Sequence, residues 1–411
     1  MMTCFRTRIF CLAATLFIAA SLMSPPAYSS QLSNYTAVKV QRAIALQQQE
    51  KWQDAAEVLE NLPSLAGFDL AFVQRMLGGL YWQLNEPSKA IDVLGLAVDS
   101  HQLEANDQRS AERMLADILL SQSRYKEALS RYYPLVKQAS TTSEAKELTQ
   151  KERADIWFRI AQAHYQVKQM KSSLSAIDKH LALTAPNVPS LSLKLIAQIQ
   201  LSRWKSTIPT LKQLIAIDPN NKTWWLQLAG SYQRLKQPKE MLSTLVLAER
   251  QGIVLSSSEK QMMAQLYQQQ GAPEKAAALM HQLNKENASV TSLVMEAGYW
   301  QQSKEWDKAI TTWLLAANQD NQYRLSVAQL QLQRGYYRDA LASLALVSSK
   351  EHSAQVALSQ AMAYDKLGDI DSAFVQASRA NDIEPTSQSQ SWIEYLNHKR
   401  KTFNQAPLSP N

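Results

Sequence analysis

Cysteine is nearly missing from this 411-residue chain, and the two present, Cys4 and Cys11, both lie at its very start. The remainder has no thiol for a disulfide framework or thiolate chemistry. Glycine is scarce too, with 10 residues, and none forms a phosphate-cradling loop or a Gly-x-Ser-x-Gly elbow. The six histidines, His101, His164, His180, His281, His352 and His398, include no i, i+4 pair and no His-Glu-x-x-His. Zinc chemistry therefore has no support. With no nucleophile, base and ligand set assembled, we expect a non-enzymatic protein that needs no cofactor and no metal.

Long apolar runs are also lacking, with one exception. Residues 9–23 are almost unbroken apolar, preceded by Arg6 and Arg8 and followed by Pro25, Pro26 and Ala27-Tyr28-Ser29. This pattern predicts a secretory signal over residues 1–29, cleaved after Ser29, and hence an exported, periplasmic protein if the source is a Gram-negative bacterium. Fifteen apolar residues fall short of the ~20 that span a bilayer, which weighs against the rival reading of a retained anchor. The formal charge of +7 becomes +5 without Arg6 and Arg8, and Lys and Arg alternate with Glu and Asp along the chain. A nucleic-acid binder concentrates its basic residues on one face, so no nucleic-acid partner is expected. No small-molecule substrate is evident either.

What the chain does have is a beat. Ala55, Ala90, Ala128, Ser173, Thr207, Met241, Ala276, Ala309, Ala340 and Ala373 follow one another at intervals close to 34 residues. With each of these stations as position 20 of a unit, positions 4, 7, 8 and 11 should be bulky, apolar, small and aromatic. The sixth unit supplies Trp225, Leu228, Ala229 and Tyr232, and the second Leu77, Gly78 and Tyr81. This is the tetratricopeptide period and pattern. It predicts an all-α, tetratricopeptide-like α-solenoid, a right-handed superhelix of about ten helix-turn-helix units with helices A and B. Gly271, Gly335 and Gly368, five residues before their stations, end helix A. Pro87, Pro238 and Pro273 open helix B. Trp52, Tyr125, Trp204, Trp306 and Tyr337, three residues before their stations, should start helix B and pack on a neighbouring helix A.

Two intervals are long, across residues 99–109 and 140–153. They divide the chain into an N-terminal block at 34–139, a loop or joint at 140–153 and a C-terminal block at 154–385. Residues 386–403 read as one more amphipathic helix, with Trp392, Ile393, Tyr395 and Leu396, that caps the stack. Its His398-Lys399-Arg400-Lys401 run admits an alternative, peripheral contact with the inner membrane or an acidic partner. A disordered tail is expected at 404–411.

Core packing does not explain positions 5, 9 and 12 of helix A, which face the concave side of such a stack. They include Arg75, Trp82, Phe158, Gln162, Tyr165, Gln233, Gln265, Gln268, Gln301 and Gln329. These form the candidate partner-binding groove. A glutamine amide both donates and accepts, which suits an extended peptide backbone, and Trp82, Phe158 and Tyr165 would serve as apolar anchors. Glutamine is also a good helix former, which explains its abundance equally well. His164 and His180 fall on packing positions and are expected to be buried imidazoles.

The run Lys222-Thr223-Trp224-Trp225-Leu226-Gln227-Leu228-Ala229-Gly230-Ser231-Tyr232, with Trp306-Asp307-Lys308-Ala309-Ile310 and Ser391-Trp392-Ile393-Glu394-Tyr395-Leu396, resembles exported tetratricopeptide proteins associated with TonB-ExbB-ExbD systems of gammaproteobacteria. The likeness is best over residues 150–400. It implies a periplasmic adaptor in TonB-dependent energy transduction and uptake, with TonB- or ExbD-type envelope proteins as partners and no catalytic residues. Ser173, Thr207 and Met241 depart from the usual alanine. The alternative is a periplasmic repeat factor coordinating cell-envelope or peptidoglycan assembly.

Overall fold

The computed structural model describes residues 32–137, 148–348 and 352–404. The proposed signal peptide, most of the 140–153 joint and the expected tail lie outside them. Among the described residues there are twenty-one α-helices, one short 3-10 turn and no strand, as the period predicts. The chain divides into two compact units, Met1–Leu201 and Ser202–Asn411.

In the first unit, α1 (Asn34–Gln48) pairs with α2 (Trp52–Glu60), and α3 (Gly67–Gln83) with α4 (Pro87–Asp99). Next come α5 (Ala105–Ser121) with α6 (Tyr125–Lys137), α7 (Gln150–Gln166) with α8 (Met170–Leu181), and then α9 (Val188–Gln200). The second unit opens with α10 (Trp204–Ile217), which packs on α11 (Lys222–Arg234). Helix α12 (Pro238–Arg250) pairs with α11, α14 (Pro273–Asn284) with α13 (Ser257–Gln269), and α16 (Trp306–Gln319) with α15 (Val290–Gln302). Helix α17 (Arg324–Arg334) pairs with α18 (Tyr337–Ala345), α19 (Ser353–Leu367) with α20 (Ile370–Ile383), and α21 (Ser387–Asn404) closes the stack on α20. Within each unit a helix packs chiefly on those before and after it, the arrangement of a solenoid.

The stations are buried throughout. All ten are 0–4% exposed. Position 8 of helix A is equally hidden, at Ala43, Ala116, Ala161, Ala264, Ala297, Ala328 and Ala361. Gly78 occupies the same position in α3, and a β-carbon there would lie 2.3 Å from Leu94 Cγ. Where a station is polar, its hydroxyl finds a partner. Ser173 donates to the Ala161 carbonyl at 2.8 Å, and Thr207 to Ser231 at 2.8 Å. Trp52, Tyr125, Trp204, Trp306 and Tyr337 are each the first residue of a B helix. Trp204 and Trp306 lie beneath Arg234 and Arg334, each from the following A helix.

Five residues before every station the backbone turns left-handed. Glu50, Asn85, Ser123, Lys168, Ser202, Lys236, Gly271, Lys304, Gly335 and Gly368 all have φ between 54° and 84°. The next N–H closes a Schellman-type bond onto the position-11 carbonyl, as in Glu86 to Tyr81 at 2.8 Å, Gln169 to His164 at 2.8 Å and Gln237 to Tyr232 at 2.9 Å. Glycine was expected at three of these sites, but the geometry recurs at all ten. Seven non-glycine residues therefore bear a strain of about 1–2 kcal/mol each.

The first long interval is absorbed by helix: α5 begins at Ala105, before the register start at Arg109. Around the second, α6 and α7 pack directly, with the Tyr133 and Trp157 rings 6.3 Å apart. Helix α21 buries Leu396 against Ala361, Ala373 and Ala377. It is pinned by Lys399 to Asp365 at 2.7 Å and Arg400 to Asp371 at 2.9 Å. Two cations of the basic run thus serve capping, leaving Lys401 exposed.

Two substitutions test this frame in opposite directions. Lys304→Gly relieves the left-handed turn and should raise the melting temperature, with a net gain of up to ~1 kcal/mol after the added chain entropy. Gly78→Ala should lower it by about 1–3 kcal/mol through overpacking on Leu94, although alanine is the better helix former.

Candidate functional site

Positions 5, 9 and 12 of the A helices form a strip in each unit, and the two strips differ in chemistry. In the first unit, cross-helix ion pairs tie strip residues to the neighbouring A helix. Arg75 on α3 meets Asp107 on α5 at 3.1 Å. Arg113 on α5 faces Asp155 on α7 at 3.9 Å, and Asp117 accepts from Arg159 Nε at 3.1 Å. Asp117 also accepts the hydroxyl of the fully buried Tyr132. Burial, with the Asp117 carboxylate beside it, pushes that phenol far above its ordinary range. Arg113 and Asp117 sit at positions 5 and 9 of the third unit, so the same count that found Arg75 reaches them.

The candidate aromatic residues are placed unequally. Trp82 is 37% exposed at the end of α3. Phe158 and Tyr165 are half-buried, and the Phe158 ring lies 5.2 Å from that of His180 on α8. Gln162 is half-buried as well. His164 and His180 are each 6% exposed, as expected of packing positions. His164 Nδ1 lies 2.7 Å from Gln169 Oε1 and its Nε2 2.7 Å from Tyr133 Oη. Nδ1 therefore carries the proton and donates to the amide oxygen, while Nε2 accepts from the phenol. Burial holds the His164 pKa below its usual value, partly offset by the Gln169 bond.

In the second unit the strip mixes amides and two glycines with aliphatic residues such as Leu226, Val294 and Met362. Gln233 on α11 and Gln265 on α13 are exposed and line one hollow of about 210 Å³. Met241, Met262 and Leu266 also line it, together with Lys236. Gln268 donates to Gln302 across α13 and α15 at 3.1 Å, and Gln301 accepts from Trp313 at 3.4 Å. Gln329 is exposed on α17. Residues missed by the sequence reading are Gly230 and Gly298, at position 9 of α11 and α15. A β-carbon at either would meet open space, so packing does not require glycine there.

A larger hollow of about 460 Å³ lies among α16, α17 and α18. Its lining opposes Asp307 and Asp339 to Arg324, and Tyr336 donates to Asp307 at 2.9 Å. Deeper in the same unit, Glu296 is 2% exposed and accepts from His281 Nδ1 at 2.8 Å, Asn284 at 2.8 Å and Trp300 Nε1 at 3.1 Å. The His281 and Asn284 bonds join α14 to α15, with Glu296 buried and the His281 side chain 54% exposed. Among the described residues no group of three or more His, Cys, Asp or Glu is placed to hold a metal ion. No described helix is long and apolar enough to cross a membrane.

Hairpins of this period and turn geometry define an all-α, tetratricopeptide-like α-solenoid. No protein-family model matches the chain, and no curated protein matches it. Several solved structures are similar to it. A tetratricopeptide repeat protein from Parabacteroides merdae is 11% identical, over 62% of this chain and 95% of that one, with a TM-score of 0.37. MamA of strain AMB-1 is 18% identical, over 45% and 95%, with a TM-score of 0.32. Yeast Tom70 is 12% identical, over 91% and 97%, with a TM-score of 0.30.

The buried His164 makes a pH prediction. Its folded pKa is depressed, so it contributes stability that is fully present above the unfolded value of about 6.5 and is lost as pH falls through the folded one. Thermal melts at pH 7.5 and 5.5 should show a larger drop for the wild type than for His164→Gln. Equal drops would remove His164 from the acid response.

Proposed function

We propose that this chain is an exported, periplasmic, non-enzymatic scaffold that holds protein partners along its A-helix strips. In this reading it serves a TonB-dependent energy-transduction and uptake system. The observation that carries the scaffold is the second unit's strip, which offers exposed amides and uncovered helix backbone without an assembled catalytic set. Such a surface suits an extended polypeptide, whose main chain needs both donors and acceptors. The first unit adds Trp82, an exposed aromatic of the type that anchors interfaces. The TonB association is supported by the likeness of the tandem tryptophan run and the closing Trp-x-x-Tyr. Export is supported by the charge, apolar length and small residues of positions 1–29.

Crosslinking in iron-starved cells tests the assignment. Recovery of TonB or ExbD with the wild-type chain is expected, and recovery of peptidoglycan synthases alone would replace it with envelope assembly. Trp82→Ala and Tyr165→Ala should each weaken capture about tenfold, the effect of an anchor worth ~1.4 kcal/mol, at unchanged helicity. Intact capture by both variants would remove the first unit's strip from the reading. Mass spectrometry of the exported protein should find a chain that begins at Ser30.

A further inference from the structure

The hollow between α11, α12 and α13 has a narrower purpose than general adhesion. We infer that it is a one-residue pocket for a bulky apolar side chain of an extended partner segment, one that carries an acidic residue beside it. This rests on the scaffold reading above and names the chemistry of the partner.

Three independent features lead there. Size comes first. At about 210 Å³ the hollow is below the 300–1,000 Å³ of small-molecule sites, and it suits one side chain. Its lining comes second. Met241 stands at a station where seven of the other nine units have alanine, and with Met262 and Leu266 it gives the hollow an apolar, adaptable wall. Gln233 and Gln265 on the same hollow supply amides for the main chain on either side of the inserted residue. Lys236 is the only ionised group in the lining, and no carboxylate shares it. The exposed Lys236 and Lys239 outnumber the exposed Glu240 at this edge, which leaves it basic and selects an acidic neighbour in the partner.

The third feature is Gly230. It lies one turn before Gln233 on α11, in the helix interior, where glycine costs about as much as any residue short of proline. A β-carbon there would touch nothing within 4 Å, so the fold gains no packing from its absence. What the absence does provide is access. A partner's main chain can come down onto the α11 backbone beside the hollow, which any larger side chain would obstruct.

The test is selection of random 12-residue peptides displayed on phage against the purified full-length protein. Selected peptides should share one Leu, Ile, Met or Phe next to Asp or Glu. Gly230→Leu should bind them at least tenfold more weakly while melting no lower than the wild type, because a β-carbon there meets nothing within 4 Å and leucine is the better helix former. Lys236→Glu should weaken them to a similar degree. Met241→Ala restores the usual station residue, enlarges the hollow and should shift selection towards Phe and Trp. Selected peptides that lack the pattern, or that bind Gly230→Leu as they bind the wild type, overturn the pocket and leave the scaffold standing. Failure to select any peptide overturns the extended-segment reading of the strip, and the pocket with it.

Discussion

Everything in this chain depends on how closely helix A can approach helix B. In most repeats small residues at positions 8 and 20 set that approach, although Leu195 and Met241 show that single repeats accommodate a larger side chain. Gly78 shows the limit, since Leu94 already occupies the space of the β-carbon it lacks. That approach lets a hairpin of two short helices present a continuous apolar face to its neighbours, which single helices of this length cannot keep folded alone. The large aromatic residues then follow rather than lead. Trp204 and Trp306 begin helix B and fill the wedge towards the next A helix, each beneath an arginine.

Departures from alanine at the stations are informative because each is compensated differently. Ser173 and Thr207 keep the small volume and give their hydroxyls to Ala161 and Ser231. Met241 does not keep it, and its longer side chain lines a hollow. A comparable contrast runs along the A-helix faces. In the first unit, arginines and aspartates on successive A helices neutralise one another, so a partner meets a surface whose charges are already engaged. In the second unit the same positions carry amides, two glycines and aliphatic residues, with Asp365 as their one charge, so they ask a partner for hydrogen bonds and close contact instead. The two faces therefore select different chemistry although the hairpins beneath them follow one plan.

The hairpins, their register and the closing helix were legible in the sequence because small, aromatic and proline residues recur at fixed distances. The turns were legible only at Gly271, Gly335 and Gly368. Elsewhere a lysine, serine, glutamate or asparagine adopts the same left-handed backbone, and an exposed side chain leaves no compositional trace of that strain. The ion pairs were not legible either. Asp107 and Arg75 are brought together by two turns of chain and a whole B helix, so neither local spacing nor composition reveals their pairing. Among the candidate groove residues, Gln233 and Gln265 share one hollow, and Phe158 leans on the His180 ring. Register alone assigned them all the same role because it reports direction from the helix axis, not what a neighbouring helix has already covered. Gly230 and Gly298 fall on the same count, but glycine presents no side-chain chemistry from which a sequence pattern could assign a contact.

A chain in which each helix leans mainly on its sequence neighbours has few long-range ties to break at once. Pulled from its ends, it should yield hairpin by hairpin rather than in one event, and re-form in the same increments. Resistance would not be uniform along the length. The repeats locked by Glu296 and by the Tyr132–Asp117–Arg159 cluster would hold longest, as stops in an otherwise compliant spring. Under load, such grading would let the chain extend in steps rather than all at once.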